Sequence, residues 1–248
     1  MNKILIISTI GLLFLSCGGQ KMFRSPTPGF GFTSKTYNVD ETSFEYQMQL
    51  ALLTTDADEC YREVEKLLKK GADPNKKAGQ FKWIDTNPLW NCCLNKNLVS
   101  LFVSYGADVK KRPYIAKAIS GRIAVSQEQY DEWKKEGYAC IGLEESLIES
   151  VTILLNNGAD PNLKWIGGEK VLIPATDWNY LHYFKKHGKP PINNAIKYNA
   201  MKLAILLLEN GAILDEDSLK LAKEMTERTG SNEMEELVKK HWNLQNEK

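Results

Sequence analysis

The sequence predicts an all-α fold built as a helical repeat solenoid, about five units long with two inserted segments. Three observations carry that expectation. First, "GADPN" occurs at Gly71 to Asn75 and again at Gly158 to Asn162, with looser copies starting at Gly106 ("GADVK") and Gly211 ("GAILD"). Second, the same apolar residues precede each glycine. Seven before stand Val64, Val99, Val151 and Ala204; four before, Leu67, Phe102, Leu154 and Leu207; three before, Leu68, Val103, Leu155 and Leu208. Spacings of three and four set these on one helical stripe that needs a neighbour to cover it. Third, each stripe ends at a glycine, the residue that most cheaply adopts the left-handed conformation closing a helix. Asp73-Pro74 and Asp160-Pro161 then turn the chain aside.

The bulk composition fits a packed domain. The chain has 248 residues, 43% hydrophobic and 25% charged, with 32 Lys and Arg against 31 Asp and Glu. That argues against disorder and gives no electrostatic reason to expect a nucleic-acid partner.

The N-terminus reads as a signal peptide over residues 1–16. Lys3 is followed by an apolar run from Ile4 to Leu15, too short for the roughly 20 residues that span a bilayer, then by Ser16 and Cys17. This stretch resembles bacterial lipoprotein signals, whose processing box, here Leu13, Phe14, Leu15 and Ser16, precedes the cysteine that takes the lipid. The resemblance implies lipidation of Cys17, anchorage in the cell envelope facing the periplasm or the cell surface, and a membrane contact made through that lipid. Each buried methylene would add about 0.8 kcal/mol. A conventional secretory peptide, with Cys17 an ordinary cysteine, is the competing reading. Residues 17–41, the lipidated N-terminus and a tether rich in Gly, Ser, Thr and Pro, span on the order of 25 Å as a flexible coil. Its "GFGFTS" neither follows a strand nor opens a helix and is not a phosphate loop.

The repeat domain occupies residues 42–248, its first unit starting near Ser43. A shorter helix should precede each striped one, opening at "TNPLWNCCLNKN" (Thr86 to Asn97) and "PPINNAIKYNA" (Pro190 to Ala200), with Pro88 and Pro191 in the first turn. These openings and the closing glycines resemble ankyrin repeats, which combine Thr-Pro-Leu-His-x-Ala with a Val-x-x-Leu-Leu-x-x-Gly-Ala-Asp close at a period near 33 residues. The closing half is present four times. The opening half is degraded: Trp90 and Asn193 take the His place, Cys92 and Ala195 the Ala place. The stretch after Asp217 reads as a fifth, more charged unit covering the end.

The glycines stand 35, 52 and 53 residues apart, so two intervals exceed the ankyrin period by roughly 19 and 20 residues. The first surplus lies between paired helices, after one near Pro113 to Ile119 and before one resuming near Glu144. In it, Ser126 and Gln129 read as a capping box opening a short helix through Glu136, closed by Gly137 and decorated by Tyr130, Trp133 and Tyr138. The second surplus precedes Pro190 and enlarges the finger joining two units; it carries Trp165, Trp178, Tyr180, Tyr183 and Phe184.

Trp83, Trp165, Trp178 and Tyr180 are the candidate partner-binding residues, because Trp and Tyr are enriched at interaction hot spots. The competing expectation is that aromatics on such loops pack on the parent repeats. His182 and His187 are five apart, not the four that place two imidazoles on one helical face, so no metal site and no cofactor are expected. Asp177 with His182 is the only pairing suggestive of a hydrolase, and helix capping by Asp177 explains it more simply. Cys60, Cys92, Cys93 and Cys140 are expected as free buried thiols, with a disulfide to Cys60 or Cys140 left open. The resemblance therefore implies a non-enzymatic module that binds another protein. A structural envelope lipoprotein without a specific ligand and a hydrolase centred on His182 and Asp177 are the alternatives.

Overall fold

A computed structural model describes residues 42–52, 54, 56–76, 87–138, 141–164 and 189–247. They are mostly helical. In chain order the elements are α1 (Phe44–Leu52), α2 (Ala57–Lys69), α3 (Pro88–Cys92), α4 (Lys96–Ser104), α5 (Tyr114–Ala118), β1 (Arg122–Ala124), α6 (Gln127–Lys135), β2 (Ile141–Leu143), α7 (Glu144–Asn156), α8 (Pro191–Lys197), α9 (Met201–Glu209), α10 (Glu216–Thr229) and α11 (Glu233–Asn246). None of the described helices is long and apolar enough to cross a membrane.

Local chemistry sets the helix starts. Asp56, Asn87, Asn95, Ser126 and Asp215 each accept a backbone N–H of the first turn through the side chain, satisfying donors that the helix leaves open. Pro88 and Pro191 stand in the first turn, where the missing N–H costs nothing.

The helix ends repeat one another. Gly71, Gly106, Gly158 and Gly211 all have φ between 85° and 95°. Each donates its N–H to the carbonyl three residues back: Leu68, Val103, Leu155 and Leu208, at 2.9–3.1 Å. The alanine after each glycine donates to the carbonyl five back: Leu67, Phe102, Leu154 and Leu207, at 2.9–3.1 Å. This is the paired bonding of a Schellman closure, and it satisfies carbonyls that would otherwise face the turn unpaired. Just before two of these glycines, Asn157 and Asn210 return their side-chain amides to Ile153 and Leu206 carbonyls at 2.8 Å.

Helices pair as α1 with α2, α3 with α4, α8 with α9 and α10 with α11, and α5 pairs with α7 across the inserted segment. The longer helices also pack on one another in succession, α2 on α4, α4 on α7 and α7 on α9. One continuous core runs from Met48 to Val238. Val64, Val99, Val151 and Ala204 are fully buried in it, and Leu67, Phe102, Leu154 and Leu207 nearly so. Burying each such Val, Leu or Phe side chain contributes about 1.5–3 kcal/mol. The third stripe position is buried at Leu68 and Leu208 but only half-buried at Val103 and Leu155, which lie at the core margin.

The first inserted segment departs from the all-α expectation. Between α5 and α7, β1 and β2 form a parallel pair in register Arg122↔Ile141, Ile123↔Gly142, Ala124↔Leu143. Parallel strands require a crossover, and α6 lies in it. Ser126 accepts the Gln129 N–H at 3.2 Å as expected, whereas the Gln129 side chain accepts from Val125 N, at 2.9 Å. Gly137 closes the helix with φ 78°. Gly142 matters for another reason: a Cβ there would lie 2.8 Å from Leu147 Cδ1, so any side chain at this position would force the buried leucine of α7 to move.

Candidate functional site

Cys17, the tether, and the four proposed contact residues Trp83, Trp165, Trp178 and Tyr180 lie outside the described residues, as do Asp177, His182, His187 and Cys140. The described chain fixes the points from which their segments leave and return. The first leaves after Lys76 and returns at Asn87; the second leaves after Lys164 and returns at Lys189. Asn87 is an end point tied into the core. It is buried, and its Oδ1 accepts from Trp90 N at 3.0 Å and from the Tyr114 hydroxyl at 3.1 Å.

The two turns marked "GADPN" are joined to later turns by their last residue. Asp73 accepts the Asn75 N–H at 2.8 Å, and Asp160 accepts that of Asn162 at 2.8 Å. This aspartate turn directs the asparagine side chain at the next closing turn. Asn75 Nδ2 donates to the Gly106 carbonyl at 2.9 Å, and its Oδ1 accepts from Asp108 N at 2.7 Å. Asn162 does the same to Gly211 and Ile213, at 2.9 and 2.8 Å. Each amide thus fills one acceptor and one donor of a turn that starts over thirty residues later. At the last turn Gln245 performs the equivalent service on Leu214, donating at 3.0 Å and accepting at 2.9 Å.

Asn193 and Trp90 do similar work between helix pairs. Asn193, 5% exposed, donates to Asp215 Oδ1 at 3.1 Å and accepts from the Ser218 hydroxyl at 2.6 Å. It thereby joins α8 to the capping box of α10. Trp90 packs edge-on against Tyr114, ring centroids 5.8 Å apart, joining α3 to α5. Sequence reasoning treated both positions as degraded signature; their buried polar partners were not visible in it.

The first inserted segment forms an aromatic and cationic cluster against the α8–α9 turn. Trp133 of α6 meets Tyr198 edge-on at 6.2 Å. The Arg122 guanidinium sits 3.8 Å from the Tyr138 ring centroid and 5.3 Å from that of Trp133. Such cation–ring contacts contribute about 0.5–2 kcal/mol. Trp133 thus packs on the parent fold, in line with the competing expectation for loop aromatics, while Tyr138 remains 40% exposed.

Little in the described residues is set up for chemistry. No three His, Cys, Asp or Glu side chains among them converge as a metal site. Cys60, Cys92 and Cys93 are free and buried. Burial raises the pKa of all three thiols, that of Cys92 well above its usual range and that of Cys93 to about 12, away from the reactive thiolate. Asp108 and Glu235, both partly buried, are held below the usual carboxylate range chiefly by hydrogen bonds from Lys111 and Lys239. No family model matches the chain, and no curated protein matches it.

Proposed function

We propose that the chain is a lipid-anchored, ankyrin-like helical repeat solenoid that binds another protein in the bacterial envelope, with Cys17 as the lipid attachment point. The observation that carries the repeat reading is the recurrence of one closure at Gly71, Gly106, Gly158 and Gly211, together with the asparagines that join one closing turn to the next. Stacked units of this kind bury their stripes against each other and leave fingers and first helices as the variable face. On that face Trp83, Trp165, Trp178 and Tyr180 are the contact residues, and no catalytic role is assigned.

Two measurements test the reading. Metabolic labelling with an alkyne-bearing fatty acid should mark the wild-type chain and not Cys17→Ala; equal labelling, or none, removes the anchor. For the partner, detergent-solubilised envelope is passed over the full chain and over a variant with Trp83, Trp165, Trp178 and Tyr180 all changed to Ala, both folded by circular dichroism. A protein retained by wild type alone is then purified and its affinity for both chains measured. Equal affinity removes the aromatic contact surface.

A further inference from the structure

We infer that the junction between the closing turns at Gly106 and Gly158 is a joint that opens along its turn edge while its opposite edge stays fastened. The inference goes beyond the binding reading and does not depend on it. The residue equivalent to Asn75 and Asn162 at this junction is Lys110. Its backbone is placed as theirs are, because Asp108 Oδ1 accepts the Lys110 N–H at 3.0 Å just as Asp73 and Asp160 accept at their turns. The side chain therefore starts from the right place but carries no amide. A lysine has donors and no acceptor, so it cannot accept the second of the two bonds, the one that Asp108 N and Ile213 N donate at the neighbouring turns and that would fall to Asp160 N here.

What Lys110 does instead is lie over the glycine. A Cβ built at Gly158 would meet Lys110 Cε at 2.8 Å, whereas Cβ atoms at Gly106 and Gly211 would meet nothing within 4 Å. A flexible alkyl chain covers the turn where two directed hydrogen bonds hold it elsewhere.

The far edge of the same junction is tied. Lys96 pairs with Glu149 at 2.6 Å, and the Ser150 hydroxyl donates to the Leu94 carbonyl at 3.4 Å. Lys96 opens α4 and Gly106 follows its end, so tie and open turn are about 15 Å apart along that helix. The next junction is fastened at both edges. Glu144 accepts from Leu203 N at 3.0 Å and Glu145 pairs with Lys202 at 3.6 Å, while Asn162 holds the turns. A junction tied at one edge swings about it. Opening it changes the separation of Lys76 and Lys164, from which the two aromatic-bearing segments depart.

Hydrogen exchange and dipolar electron spin resonance on the full chain in detergent micelles test this. The Asp160 amide should exchange about tenfold or more faster than those of Asp108 and Ile213, one hydrogen bond's worth of protection. Lys110→Asn should slow it to their rate, and Asn162→Lys should speed Ile213 by a similar factor. Spin labels at Ser104 and Asn156, across the joint, should give a broader distance distribution than labels at Asn156 and Glu209, and Lys110→Asn should narrow it. Equal widths for the two wild-type pairs, or an Asp160 amide as protected as the others, would overturn the proposal. Those wild-type comparisons decide even if a variant fails to fold.

Discussion

The carboxylate of Glu144, only 5% exposed, accepts the backbone N–H of Leu203 across two helices at 3.0 Å. Helix α9 has no side-chain cap of its own at Ala200. The acid at the head of α7 therefore fills one of the donors that α9 leaves open, and its charge faces the positive end of that helix.

Glu144→Ala removes that acceptor and leaves the buried Leu203 N–H unpaired, which should cost about 1–3 kcal/mol in urea unfolding. Glu144→Gln keeps a neutral acceptor and should lose less. Equal losses for the two variants would show that packing, not the hydrogen bond, is what the side chain supplies.

Asn162 and Asn75 each make two bonds to a later turn. Replacing either with Ala should destabilise the fold by about 1–3 kcal/mol, summing two net hydrogen bonds of ordinary worth. Asn162→Asp keeps the acceptor for Ile213 N but sets a carboxylate against the Gly211 carbonyl, so it should not rescue. Chemical denaturation of the three variants checks the order.

Alkaline pH should unfold the protein through its buried thiols. The folded pKa of Cys93 is raised from 9.0 to about 12, and that of Cys92 is raised in the same direction. The protonated thiols thus favour the folded state fully below pH 9, and stability falls as pH climbs from about 9 toward 12. The slope approaches about 1.4 kcal/mol per pH unit for each thiol. Unfolding curves at successive pH values should show it, and Cys93→Ala should flatten it; a thiol reagent at pH 8 should label neither cysteine until denaturant is added.

The Trp133–Tyr198 ring contact holds α6 to the α8–α9 turn, and Arg122 of β1 lies over Trp133 from within the insert. Trp133→Ala should leave the global melting temperature nearly unchanged while making the segment between β1 and β2 the first site cut by a dilute protease. Unchanged cleavage would mean that β1–β2 pairing alone fixes the insert.

The four glycine closures were legible because their chemistry is local. A glycine held at positive φ, a stripe at three-four spacing and, at Pro74 and Pro161, a proline after the glycine each follow from residues within one or two turns. The same holds for the α6 start at Ser126 and for the prolines of α3 and α8. What escaped depends on distant partners. Glu144 reads as an ordinary exposed first-turn acid until Leu203 is placed above it. Asn193 reads as a lost histidine until Asp215 and Ser218 arrive from the start of α10. The strands at Arg122 and Ile141 are three residues each, too short for alternation to register, and neither is a strand without the other. The proposed contact residues Trp83, Trp165, Trp178 and Tyr180 gain nothing from the described fold beyond the end points of their segments.

The closures at Gly158 and Gly211 also bear on how the chain ages. Asn157-Gly158 and Asn210-Gly211 are the dipeptides in which asparagine most readily loses ammonia, because the bare glycine nitrogen can attack the side-chain carbonyl and form a cyclic imide. Here each glycine N–H is engaged by a carbonyl three residues back, and each asparagine amide is turned away to the helix. Ring closure needs both groups released together. The spontaneous chemical clock at these two sites therefore runs on the rate at which the helix ends fray.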